Sequence, residues 1–362
     1  MNKKAELDLS FFSGKRILVT GHTGFKGAWL SVMLRNAGAE VIGYSTCSAK
    51  ETRLSDLCGV LEQIHHIQGD ICDLNHLQAV FSEYRPELVI HMAAQPLVRE
   101  SYRDPVRTYS TNVMGTVNLM ECVRNTPEVR SVLNVTTDKV YRNRERSEGY
   151  TEEEELWGFD PYSNSKSCSE LVTGCYKDSF FAEREIAVST ARAGNVIGGG
   201  DFAKDRIIPD CVRAATAGQE IIVRNPNSVR PYQHVLEPLY AYLMILEKQY
   251  QDRTYAGNYN VGPNETEHWT TSQLVDCFVK DWGDNVVWNA QSEQNAPHEA
   301  GLLKLDCARL KTTFGWEPCW NIAEAIHRVV EFEKNRTGGG NVRECMDRQI
   351  KEYMKDRRDM SA

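Results

Sequence analysis

Short apolar runs alternate with longer amphipathic stretches through the first half of the chain. Arg16-Ile-Leu-Val-Thr20 reads as a buried parallel strand, and Gly24 to Ala37 as the helix behind it, with Gly38 as the natural stop. Further strands are predicted at Glu40–Tyr44, Ile64–Gln68, Glu87–Met92, Ser131–Thr136 and Ile186–Ala191. Helical periodicity fills the gaps at Leu74–Tyr84, Pro105–Asn125 and Pro161–Phe181, the last two opened by a proline. This alternation means parallel βαβ units. The predicted fold class is α/β, a doubly wound parallel sheet of Rossmann type.

Beyond Gly194 the pattern loosens. Gly198–Asp201 and Asn225–Pro231 read as loops, with short helices expected around Ile207–Ala217 and Leu236–Gln249. Asn258-Tyr-Asn-Val261 reads as one more strand returning to the first sheet. The expected division is a Rossmann unit over residues 1–194 and a smaller lobe over 195–362, meeting along a cleft. A length of 362 residues suits that organisation.

Charge narrows the partners. Lys plus Arg number 42 and Asp plus Glu 50, a net charge of −8, so the chain lacks the basic field that nucleic-acid binding needs. Any anionic ligand must be held locally. No apolar run approaches the roughly 18 residues of a membrane span, and the charged start Met1-Asn-Lys-Lys lacks the apolar core of a secretory signal. Eleven cysteines without a Cys-x-x-Cys pair read as reduced thiols, which points to the cytoplasm and to no metal site.

Gly21-His-Thr-Gly24-Phe-Lys-Gly27 lies on the first strand-to-helix turn. Glycines there let the backbone approach a pyrophosphate, whose charge is held by helix-terminal N–H groups. Gly21, Thr23, Gly24, Phe25, Lys26 and Gly27 are thus candidate dinucleotide contacts. The second strand ends in Gly43-Tyr44-Ser45, with no acid for a ribose 2′-hydroxyl and no adjacent arginine, which leaves NAD and NADP open. Asp70, beside Ile71 at the end of the third strand, suits an adenine amino group, or alternatively a simple cap. Ala93 and Ala94 give the small surface a nicotinamide ribose needs. His91 reads as a core histidine.

Two clusters carry the chemistry. Thr136-Thr137-Asp138-Lys139 stands at the carboxyl end of a strand, where open α/β sheets place their ligands. Tyr162-x-x-x-Lys166 opens a helix, and the i,i+4 spacing puts phenol and ammonium on one face. The nearby ammonium and an oxidised nicotinamide are expected to lower the phenol from its ordinary value near 10 toward neutrality. Tyr162 can then take a proton from an alcohol as hydride leaves.

Together with His91-Met-Ala-Ala-Gln-Pro-Leu-Val-Arg99, Ala191-Arg-Ala-Gly-Asn-Val-Ile-Gly-Gly-Gly-Asp201 and Val229-Arg-Pro-Tyr-Gln-His234, these segments resemble the extended short-chain dehydrogenase/reductase superfamily, and within it the nucleotide-sugar 4,6-dehydratases. The likeness runs from about residue 13 to residue 335. It implies a closed redox cycle on tightly held NAD. Tyr162, with Lys166, deprotonates the hydroxyl on sugar carbon 4, and Thr137 shares a hydrogen bond to that oxygen. A base then takes the proton of carbon 5, Asp138 protonates the leaving hydroxyl on carbon 6, and hydride returns to carbon 6. Members acting on dTDP-glucose carry Asp-Glu after the threonine. Asp138-Lys139 is instead the pattern of a branch acting on a cytidine diphosphate sugar, which makes Lys139 the base. A lysine is a base only when neutral, which calls for burial and neighbouring positive charge.

An acidic protein that binds a diphosphate needs local donors, and Arg206 and Arg230 are the candidate guanidinium groups, with Asn195 nearby. Gln95 is a further candidate on the substrate side. Where dTDP-sugar relatives have an Asp-Arg pair, this chain reads Pro297-His-Glu-Ala300. The acidic stretch Glu145–Glu155 reads as a flap. The resemblance also implies a homodimer or homotetramer built on the helices Pro105–Asn125 and Pro161–Phe181. Two alternatives stay open at this level, a nucleotide-sugar 4-epimerase (or a dehydratase of another nucleotide) and a non-catalytic NAD-binding regulator.

Overall fold

The computed structural model describes residues 6–46, 52–283, 285–291 and 302–361. Seven parallel strands form the central sheet: β1 (Arg16–Thr20), β2 (Glu40–Ser45), β3 (His65–Gln68), β4 (Leu88–His91), β5 (Ser131–Val135), β6 (Ala187–Ala193) and β7 (Asn258–Val261). Their spatial order is β7-β6-β5-β4-β1-β2-β3. The order reverses between β1 and β4, and the carboxyl ends of these strands open the crevice where doubly wound sheets bind ligands. Strands β4 and β5 are buried along their whole length, as expected of parallel strands covered on both faces.

The helices arise where local chemistry caps them. Gly24 is the N-cap of α1 (Phe25–Asn36), and Gly38 beyond its end has φ +80°, which only glycine adopts freely. Asp73 caps α2 (Leu74–Tyr84) by accepting from His76 N. Pro105–Tyr109, a π turn at Ser110–Met114 and Gly115–Arg124 run on without a break as α3, capped by Asp104. Asp160 caps α4 (Pro161–Tyr176), which ends in a second π turn at Lys177–Phe181. Sequence periodicity predicts plain helices in both places. A π turn costs one residue of register and leaves no mark in the polar pattern.

Two cores fill the faces of the sheet. Leu18, Ile42, Val89 and Val132 meet α2 and α3 on one face. Ile17, Val19, Ile90 and Leu133 meet α1, α6 (Leu236–Gln251) and α9 (Val342–Ser361) on the other. A third core joins α5 (Ile207–Thr216), α7 (Thr271–Trp282) and α8 (Ile322–Thr337) into the second lobe. More of the C-terminal half therefore returns to the sheet than β7, since α6 and α9 do so as well. Among the described residues no helix is long and apolar enough to cross a membrane, no group of side chains could hold a metal ion, and every cysteine is a free thiol.

Candidate active site

A cleft of about 1850 Å³ runs along the carboxyl ends of the strands, between the sheet and the second lobe. Its floor at the first turn is closed backbone. A Cβ on Gly21 (φ +75°) would meet Ala93 N at 2.8 Å, and one on Gly27 would meet Gly21 O at 2.2 Å. Gly24 offers no side-chain cap, so the first N–H groups of α1 keep no side-chain acceptor and face an anion site. The residues present fit a dinucleotide.

Thr23, Phe25, Lys26, Asp70, Ile71, Ala93 and Ala94 all line this arm. The hydroxyls of Thr23 and Ser45 lie 2.8 Å apart, so the tip of β2 carries a hydroxyl pair rather than an acid. Asp70 Oδ1 accepts from Cys72 N at 2.9 Å, which gives this carboxylate a capping duty inside the cleft wall. His91 is a core residue. It is 1% exposed, sits 2.8 Å from Thr20 Oγ1 and is lowered to about 3 by burial, hence neutral.

The two clusters of candidate catalytic residues meet where the end of β5 faces the first turns of α4. Thr137 Oγ1 donates to Asp138 Oδ1 at 2.9 Å, and Thr137 also hydrogen-bonds the Tyr162 phenol. Lys139 Nζ lies 2.7 Å from the same Asp138 oxygen and 3.2 Å from Asn195 Oδ1. Asp138 is fully buried, and its Oδ2 has no hydrogen-bond partner. Lys166 Nζ donates to Val135 O at 3.1 Å, and burial lowers it to about 8 against the pull of Glu170.

Two features of the protein without its cofactor bear on these expectations. Tyr162 is not lowered in the protein alone. Burial pushes it up to about 12, the Thr137 hydrogen bond opposes this, and Asp138 adds to it. The desolvation of the phenolate outweighs the local donor, so the base form needs a further positive charge. Lys139, for its part, is ion-paired with Asp138 rather than surrounded by cations alone, so the expected acid and base share one contact.

The second lobe supplies the other wall. Arg206 caps the start of α5 without a side-chain bond to it and pairs with Asp201 at 3.0 Å. Arg230 is 8% exposed and lines the cleft. Gln95 reaches the cleft wall, but its amide is spent on Leu97 and Thr108, so it shapes the turn after β4. Pro297–Ala300 lies outside the described residues. Glu145–Glu155 is fastened rather than loose. Tyr141 and Tyr150 form β-bridges with Leu156 and Leu305, and Glu152 accepts from Asn260 N at 2.8 Å.

Sequence reasoning passed over Glu170 and Arg192, which pair at 2.9 Å behind the centre with both side chains 2% exposed. The signal was present, since Glu170 follows Lys166 at the same spacing as Lys166 follows Tyr162. Lys26 was read through its backbone. Its buried amine also enters the cleft 5.9 Å from the Tyr242 ring, and burial, then Lys166 and Arg206, lower it to about 7.

Known proteins resemble this chain in sequence and fold. The chain is 44% identical over 354 residues to a CDP-glucose 4,6-dehydratase of Salmonella typhimurium, covering 96% of this chain and 98% of that protein. Its fold matches a Thermus thermophilus UDP-glucose 4-epimerase solved with NAD at TM-score 0.77 and 25% identity, over 88% of this chain and 99% of that one. It also matches a dTDP-glucose 4,6-dehydratase of Streptomyces venezuelae, again solved with NAD, at TM-score 0.78 and 22% identity, over 90% and 98%. The family model described as GDP-mannose 4,6 dehydratase matches residues 18–329, and over that span, which takes in the glycine turn, the Thr-Asp-Lys strand end and the Tyr-Lys helix, the chain belongs to that family.

Proposed function

We propose that this protein is an NAD-dependent CDP-glucose 4,6-dehydratase, a carbon–oxygen lyase that converts CDP-glucose to CDP-4-dehydro-6-deoxyglucose and water. The near full-length identity to a CDP-glucose 4,6-dehydratase carries the reading. The Asp138–Lys139 contact supports elimination over epimerisation, since an epimerase has no use for an acid–base pair beside Thr137.

Gly21, Gly24 and Gly27 with the N–H groups of α1 would hold the cofactor pyrophosphate, Asp70 and Ile71 its adenosine, and Ala93, Ala94, Tyr162 and Lys166 the nicotinamide riboside. When bound, NAD supplies the electron-pair acceptor at carbon 4 and the donor at carbon 6. Tyr162 takes the proton of the carbon 4 hydroxyl while Thr137 hydrogen-bonds the same oxygen. The neutral amine of Lys139 takes the proton of carbon 5, and the carboxyl of Asp138 gives its proton to the hydroxyl leaving carbon 6. The two groups lie 2.7 Å apart, close enough for a proton to pass between them. Lys139 then returns its proton to carbon 5. Tyr162 ends one proton richer and Asp138 one poorer, and the hydrogen-bonded path through Thr137 joins them. Asn195, Arg206 and Arg230 take the substrate diphosphate, and Gln95 braces the wall opposite.

The test incubates the purified protein with CDP-, dTDP-, UDP- and GDP-hexoses and reads product mass. Loss of one water from CDP-glucose alone is the expected result. An isomer of unchanged mass would make the protein an epimerase and remove the role given to Lys139. No turnover with or without added NAD would leave a non-catalytic binding protein.

The working unit is a homodimer or a dimer of dimers, in which a second copy covers α3 and α4. Val106, Tyr109, Met114 and Leu171 on these helices are exposed although large and apolar. Leu171→Glu is expected to lower the sedimentation mass to that of a smaller assembly with the fold intact by circular dichroism. Unchanged mass for both Leu171→Glu and Val106→Glu would refute this interface. Residues 1–194 serve chiefly the cofactor and 195–362 chiefly the nucleotide sugar. The enzyme works in the cytoplasm, and its product feeds deoxysugar supply for surface polysaccharide such as O-antigen.

A further inference from the structure

The mechanism leaves one buried ion pair unused. Glu170 and Arg192 are both nearly inaccessible, and Nη1 of Arg192 also donates to the Tyr141 hydroxyl at 2.9 Å and Glu152 O at 3.0 Å. Tyr141 in turn donates to Asn260 Oδ1 at 2.6 Å, so the guanidinium is held from β6, β7 and the turn after β5. Taking two charges out of water is costly, and apolar replacements often fold as well. The position of the pair suggests what it does. Thr136, next to Thr137, donates to Glu170, and Glu170 stands one helical turn beyond Lys166 on α4. The carboxylate thus touches the strand end that carries the acid and the helix that carries the base.

We propose that Glu170, held by Arg192 and Thr136, is a positioning residue whose carboxylate keeps Lys166 as the ammonium that Tyr162 works beside. This rests on the functional reading above. Lys166 has Tyr162 and Glu170 one turn to either side on its own helix, and Lys26 from α1 and His91 from β4 face it from the sheet side. His91 is neutral, and Lys26 is itself a base lowered to about 7. Burial lowers Lys166 to about 8, and Glu170 is the acid that opposes it. The sign follows. Lys166 is charged below its pKa, so activity that needs the ammonium falls as pH rises through that value. Removing the carboxylate brings the fall to lower pH.

The experiment measures kcat and KM for CDP-glucose across pH in the wild type, in Glu170→Gln, in Glu170→Asp and in the double variant Glu170→Gln/Arg192→Met. Lysine-selective NMR of the same proteins, with Lys166 assigned through Lys166→Arg, reads its titration without turnover. The proposal expects the alkaline limb and the Lys166 titration to move down together in Glu170→Gln, with a smaller movement in the double variant because the Arg192 charge leaves as well, KM little changed and Glu170→Asp near wild type. The double variant matters because it leaves no unpaired buried charge and folds if the single variant does not. A uniform loss of kcat at every pH, or a Lys166 titration unmoved in Glu170→Gln, would make the pair a structural strut and overturn the proposal. If the wild type dehydrates no substrate, the functional reading fails by itself, and the NMR titration still decides whether Glu170 governs Lys166.

Discussion

Tyr162→Phe is expected to lower turnover of CDP-glucose by about 10²–10⁴-fold, the usual contribution of a positioned general base. The phenol is the group at the head of α4 that can take the carbon 4 proton, and it reaches Thr137 directly. Phenylalanine keeps the ring and its packing and deletes the oxygen alone. Cofactor retention and the melting temperature should therefore stay close to wild type, which separates lost chemistry from lost folding. A variant that keeps more than a tenth of wild-type turnover would remove Tyr162 from the role of base.

Lys139→Met should stop the reaction at a different place. Carbon 4 can still be oxidised, because Tyr162, Thr137 and Lys166 are untouched, but the proton of carbon 5 has no acceptor. Water release is expected to fall by about 10²–10⁴-fold, while reduced-cofactor absorbance builds up on mixing with substrate. Methionine preserves length and removes the amine. It also leaves the buried Asp138 without its ammonium, so thermal melting must be followed alongside. Lys139→Glu supplies another base at the same place and should recover more dehydration than Lys139→Met. Equal loss of oxidation and dehydration in Lys139→Met would mean that Lys139 organises the centre rather than serving carbon 5.

Much of this was open to inspection in the primary sequence, and the reasons differ by element. Apolar runs such as Leu88–His91 have one stable home, a strand covered on both faces, so strand identity and the sheet class were legible. The glycine turn was legible because Gly21 and Gly27 sit where a side chain would strike backbone. The helix spacing that joined Tyr162 to Lys166 also contained Glu170, but a carboxylate announces its partner only when β6 brings Arg192 beside it. Tyr162 shows the limit most clearly. Spacing gives its neighbours, whereas the balance between burial and charge depends on how much water the fold removes, and that is a property of the assembled cleft. The ion pair of Lys139 with Asp138 was hidden for a similar reason, since adjacent residues on a strand normally point apart and here a 3-10 turn folds them together.

The routing of the chain between its cores has a consequence for anyone who would cut or recombine this protein. The backbone leaves the sheet after β6, returns as α6 and β7, departs for α7 and α8, and returns again as α9. A fragment ending at residue 194 would leave the outer edge of β6 unpaired and strip one face of the sheet of α6 and α9. No single junction therefore exchanges one second lobe for another. Grafting a new specificity onto this scaffold has to proceed through loops and side chains, or through several splices made at once.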